Sequence, residues 1–105
     1  MIDPDEAEKS LQYLRETASD VGAFTKQARD KAMMLKHVEA LLIKQHHLAG
    51  VPATVCQSYA RAEDRWKEAA QEDAIAAGEL AKLDSERDTA KTRIMLYQTM
   101  VKDRL

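Results

Sequence analysis

The chain has 105 residues, 16 basic against 18 acidic, for a net charge of −2. That length predicts a single domain, residues 1–105. The near-neutral balance excludes a protein that coats nucleic acid along its whole surface, because such binding rests on many phosphate contacts. Ala, Glu, Lys, Leu and Arg supply 52 residues, whereas Leu, Ile, Val and Phe together supply 20. The first figure points to long helices, and the second leaves too little for a thick core. No apolar stretch approaches the ~20 residues of a membrane span, so no membrane partner is expected. The acidic opening, with Asp3, Asp5 and Glu6, lacks the basic-then-apolar order of a signal peptide. The one cysteine, Cys56, excludes an internal disulfide framework and fits a reducing cytosol.

The first helix announces its start. Asp3 is a good cap, and Pro4 suits a first helical position, where its missing N–H would be unpaired anyway. Glu6 stands three residues after the cap, as in a capping box. From there Ala7, Leu11, Leu14, Ala18, Val21, Thr25, Ala28, Ala32, Leu35, Glu39 and Leu42 recur at spacings of 4 and 3, one face of a helix. Thr25 and Glu39 interrupt its apolar character. The pattern predicts a helix from about 4 to 46. Ser19 and Asp20, just before Gly22, are alternative caps that would divide it and give a three-helix bundle.

A loop at about 47–54 follows, with Gly50 as a left-handed stop and Pro52 behind it. Thr54 and Gln57 read as a capping box for a second helix over about 55–103. Val55, Tyr59, Ala62, Trp66, Ala69, Asp73, Ala76, Leu80, Leu83, Arg87, Ala90, Ile94, Tyr97 and Val101 repeat the 4, 3 spacing. Asp73 and Arg87 are its charged interruptions. A short loop makes the helices antiparallel neighbours. The expected fold is therefore an all-α, coiled-coil-like helical hairpin. With its midpoint near Gly50, Leu42 should lie level with Tyr59, Leu35 should touch Trp66, and Gly22 should lie level with Gly78.

Two stripes so rich in alanine cannot enclose every apolar side chain. Met33, Met34, Leu41, Ile75, Met95 and Met100 fall off the seam. They predict a surface for a partner or for a second copy, with two hairpins pairing into a four-helix bundle. Charge is uneven: residues 1–20 carry −4 (two basic, six acidic) and residues 21–50 carry +3 (five basic, two acidic). Lys26, Arg29, Lys36, Lys44, Arg61 and Arg65 are candidates for a basic band able to contact nucleic acid, with Tyr59 and Trp66 available to stack on bases if exposed. Seam packing is the simpler reading of both rings.

Signs of catalysis are weak. His37, His46, His47 and Cys56 gather toward the loop, but adjacent histidines on a helix point about 100° apart and do not readily share a metal. The carboxylate pairs Glu63–Asp64, Glu68–Glu72 and Glu86–Asp88 read as solvated helix surface. No Glu-x-x-His motif, phosphate loop or nucleophile elbow occurs. A non-enzymatic protein without cofactor or metal is expected.

The segment Leu11-Gln12-Tyr13-Leu14-Arg15-Glu16-Thr17-Ala18 is similar to the opening of a family of small, mostly uncharacterised phage and prophage helical proteins. Ala40-Leu41-Leu42-Ile43-Lys44-Gln45, Ser58-Tyr59-Ala60 and the closing Ala90-Lys91-Thr92-Arg93-Ile94-Met95-Leu96-Tyr97-Gln98-Thr99 continue the likeness in order. Tyr97-Gln98 stands where the family has Trp-Arg. The resemblance implies a gene near those of phage DNA recombination and replication, a place in the bacterial host's cytoplasm, and a phage or host protein as partner. It supplies no catalytic residues. Three roles are expected of such a chain: an accessory of phage recombination or replication, an inhibitor of a host nuclease or defence complex, or a single-strand nucleic-acid binder.

Overall fold

The computed structural model describes residues 3–103, and among them the fold is all-α, with four helices and no strand. Helix α1 spans Pro4–Glu16, α2 Ala18–Leu48, α3 Ala53–Ala62 and α4 Asp64–Asp103. The described residues fall into two compact units. One joins α1 and the start of α2, through Phe24, to the end of α4 from Glu79; the other is Thr25–Gly78.

The expected caps explain the first start and the main turn. Asp3 Oδ1 accepts the Glu6 backbone N–H at 2.9 Å, with Pro4 in the first turn. At the end of α2, the Val51 N–H reaches the His46 carbonyl and the Gly50 N–H reaches that of His47. This is a Schellman stop. It needs a left-handed residue, and Gly50 has φ +95°. Helix α3 then begins at Ala53, directly behind Pro52. The expected Thr54 cap is absent because Thr54 already lies inside the helix. The proline's φ of −55° starts the helix earlier, with no side-chain cap.

Two one-residue breaks replace the two unbroken helices. The first falls at Thr17, not at Ser19–Gly22, and Gly22 lies within α2. Thr17 adopts φ −98°, ψ 1°, and its hydroxyl donates to the Tyr13 carbonyl. Its own carbonyl accepts the first amides of α2, from Asp20 and Val21. Across the helix pair, Arg87 Nη1 donates to the Leu14 carbonyl at 2.9 Å and to Thr17 Oγ1. An arginine from α4 therefore satisfies a carbonyl in the last turn of α1. The second break falls at Glu63, whose extended φ −77°, ψ 145° separates α3 from α4.

In the first unit the buried seam is Ala7, Ser10, Leu83 and Ala90, with Leu14, Thr17 and Arg87 half-buried. Leu11 and Ala18, expected on the seam, are exposed. Ala7 and Leu14 keep their expected seam places, while Ser10 and Thr17 take those of Leu11 and Ala18. In the Thr25–Gly78 unit the buried residues are Leu42, Cys56, Ala60, Ala69 and Ala76, with Leu35, Trp66 and Asp73 half-buried. Here the break at Glu63 moves the seam forward one residue. Cys56, Ala60 and Glu63 take the inward positions, while Tyr59 and Ala62 turn outward. Tyr59 therefore does not pair with Leu42 in the core. Both units are antiparallel: Tyr13 bonds Glu86 in one, and Lys31 bonds Glu72 and Glu39 bonds Arg61 in the other. The Glu39–Arg61 pairing is the register that a midpoint at Gly50 requires.

Candidate interaction surface

In the Thr25–Gly78 unit, Met33, Met34 and Ile75 are more than half exposed, and Leu41 is half-buried. Met33 and Met34 are consecutive and so face about 100° apart. Met34 shares a helix side with Val38, Leu41 and Leu48, at spacings of 4, 3 and 7. Leu48, 75 % exposed, is the most exposed large apolar side chain described, although its place in the expected loop kept it out of the candidates. Its spacing from Leu41 was the signal available. In the other unit, Met95 is exposed and Met100 half-buried, beside exposed Leu96 and Val101. The six expected apolar residues thus divide between the units.

The basic candidates all belong to the Thr25–Gly78 unit, and two of them are engaged. Lys26 pairs with Asp30 one turn away at 3.3 Å, both well exposed. Arg61 pairs with Glu39, and its guanidinium lies 5.5 Å from the centre of the Trp66 ring, in cation–π contact. Among the described residues Arg29, Lys36, Lys44 and Arg65 have no ionic partner. Arg29, Lys36 and Lys44 follow one another at seven and eight residues, which sets them along one side of α2 together with Met33. The aromatic rings part company. Trp66 is half-buried with its indole N–H buried and without an acceptor among the described residues. Tyr59 is 52 % exposed and meets the His46 ring edge-on at 5.8 Å.

The histidines and the cysteine do not converge. His46 Nε2 lies 3.0 Å from Glu63 Oε2, while His37 and His47 are exposed. Cys56 is buried, with Sγ donating to the Val51 carbonyl. Among the described residues no three His, Cys, Asp or Glu side chains are placed to hold a metal, and no helix is long and apolar enough to cross a membrane.

In the first unit, an open groove of about 520 Å³ lies between α1 and α4, with Lys9, Ser10, Tyr13, Glu86 and Arg93 in its lining. Tyr13 donates to Glu86 at 2.9 Å. Burial, and then that bond to an anion, raises the phenol above its ordinary value of 10.0. A phenol that holds its proton more firmly orients its neighbour and does not act as a base near neutrality. The groove walls mix both charges and provide no nucleophile–base pair.

No family model, curated protein or solved structure matches the chain. The likeness to small phage proteins rests on the short segments quoted above.

Proposed function

We propose that the chain is a non-enzymatic helical interaction module that pairs with a second copy of itself and docks a phage or host protein. The observation that carries this reading is the Met34–Val38–Leu41–Leu48 side of α2. Large apolar groups stay in contact with water there, while the seam beside them is filled mostly by alanine. Covering what remains exposed of each gains part of the roughly 1.5–3 kcal/mol that full burial of such a side chain gives, and methionine adapts to irregular partners. The resemblance ties the module to phage DNA recombination or replication as an accessory. An inhibitor of a host nuclease or defence complex would use the same surface.

A second reading, single-strand nucleic-acid binding, is favoured by the unpaired Arg29, Lys36 and Lys44 along one side of α2. Light scattering over a dilution series tests the first. A mass of at least twice 11.8 kDa at high micromolar concentration is expected, reduced by Met34→Glu with Leu48→Glu. A constant 11.8 kDa mass overturns self-association. A salt-sensitive shift of a labelled oligonucleotide, lost on charge reversal at Arg29 and Lys36, would favour the second reading.

A further inference from the structure

A helical hydroxyl commonly bonds the carbonyl four residues back. Thr17, Thr89 and Thr99 do so here. Ser10 does not. It is 5 % exposed and stands on the seam of the first unit, where the neighbouring places are held by Ala7 and Ala90. Among the described residues its hydroxyl has no hydrogen-bond partner. Burying a hydroxyl that way costs free energy, and an alanine at the same place would not bear that cost.

Ser10 belongs to the lining of the groove between α1 and α4. The Tyr13–Glu86 bond sets the register there, so that Lys9 lies level with Ala90, and Glu6 with Arg93. Lys9 and Arg93 are exposed, and neither has an ionic partner among the described residues. One end of the groove therefore offers two cations and a free hydroxyl donor. Toward the other end the lining offers Tyr13, Ser85, Glu86 and Thr89. Glu86 stands seven residues from Arg93 on α4, about 10 Å along the helix. Thr89 gives its proton to the Ser85 carbonyl, which leaves its oxygen able to accept.

We propose that this groove binds a polyhydroxylated carboxylate, a small ligand of the sugar-acid class. Its carboxylate accepts from the Ser10 hydroxyl and from Lys9 and Arg93, which gives Ser10 the partner it lacks. Its hydroxyls donate to Glu86 and exchange hydrogen bonds with Ser85 and Thr89. A volume of about 520 Å³ holds a ligand of that size. The ionised groups of the lining, Glu6 and Glu86 against Lys9 and Arg93, balance in charge. A compact dianion such as phosphate is therefore poorly suited, whereas a single charge joined to hydroxyl donors meets both signs. Glu6, level with Arg93, opposes the ligand's charge and weakens its binding.

Titration of the full chain, followed by amide chemical shifts, tests the site with glucuronate as probe and with glucose, acetate and inorganic phosphate as comparators. Glucuronate should give saturable shifts centred on Lys9, Ser10, Tyr13 and Arg93, and should bind more tightly than any comparator. Ser10→Ala and Arg93→Gln should each weaken it about tenfold, and Glu6→Gln should tighten it. Ser10→Ala should melt no lower than the native chain, so that its loss of binding is not a loss of fold. Absence of a saturable shift at millimolar glucuronate overturns the proposal. So does phosphate or glucose binding as tightly as glucuronate, or undiminished binding in Ser10→Ala.

Discussion

The two units handle the same problem in opposite ways. In each, a helix breaks for one residue, and some inward places near the break pass to an adjacent residue. At Thr17 the exchange runs backward and leaves Leu11 in water. At Glu63 it runs forward and leaves Tyr59 in water. The first break is satisfied by a cation from the facing helix, because Arg87 donates to a carbonyl of α1 and to the Thr17 hydroxyl. The second sets the partly exposed Glu63 carboxylate 3.0 Å from His46 Nε2 on the facing helix. The cores differ too. The large, fully buried side chains, Leu42 and Cys56, both belong to the Thr25–Gly78 unit.

The largest expected effect tests that difference in cores. Leu42→Ala should cost about 3–5 kcal/mol in denaturant melts, the range for a fully buried leucine whose site cannot collapse. Leu83→Ala in the other unit, where the side chain keeps some contact with water, should cost less. Equal losses would mean that the two cores are equivalent.

The next effect probes the break at Thr17. Arg87→Ala strips the Leu14 carbonyl and the Thr17 hydroxyl of a charged donor in a half-buried site. A loss of about 1.5–3 kcal/mol is expected. Amide exchange should quicken at the α1–α2 junction and stay unchanged at Ala60–Arg65. A loss below ~0.5 kcal/mol would show that water replaces the guanidinium without cost.

Gly22 gives a smaller effect of opposite sign. It lies inside α2, and a Cβ built on it meets nothing within 4 Å. Gly22→Ala should therefore stabilise by about 0.5–1 kcal/mol. Destabilisation would mean that a second molecule approaches the backbone there.

The smallest effect is titration of Tyr13. Its phenol is raised above 10.0, first by burial and then by Glu86. The folded state thus holds the proton longer than the unfolded chain. The associated stability is fully present below about pH 10, and it is lost as pH rises through the raised value. Phenolate absorbance, with Tyr13→Phe as the difference control, should show one tyrosine titrating late. Glu86→Gln should bring it part of the way back.

Much of this architecture was legible in the residues. The 4, 3 spacing gives the helices, Asp3-Pro4 the first start, and Gly50 the turn, since each is a local cause acting on its own neighbours. The one-residue breaks were not legible in that way. Neither Thr17 nor Glu63 is a helix breaker, and the apolar spacing of α2 and α4 runs smoothly back across both. Carrying that phase through a break assigns Leu11, Ala18, Tyr59 and Ala62 to the wrong side. The signal lay in the charged interruptions of the facing stripes. Glu39 stands opposite Arg61, two residues from the second break, and Arg87 stands opposite the first. An ion in an apolar seam is costly unless something opposite needs it, and a broken helix exposes carbonyls that do. The basic band was only partly legible, because sequence does not reveal that Lys26 and Arg61 are already taken by Asp30 and Glu39.

Backbone carbon chemical shifts, assigned by nuclear magnetic resonance at pH 5.5, test the central claim most directly. Helical values should lapse at two places, Thr17 and Glu63, with unbroken helix on either side of each. Helical shifts running straight through both residues would contradict the account, because the seam positions of Ser10, Thr17, Cys56 and Ala60 all depend on those two interruptions.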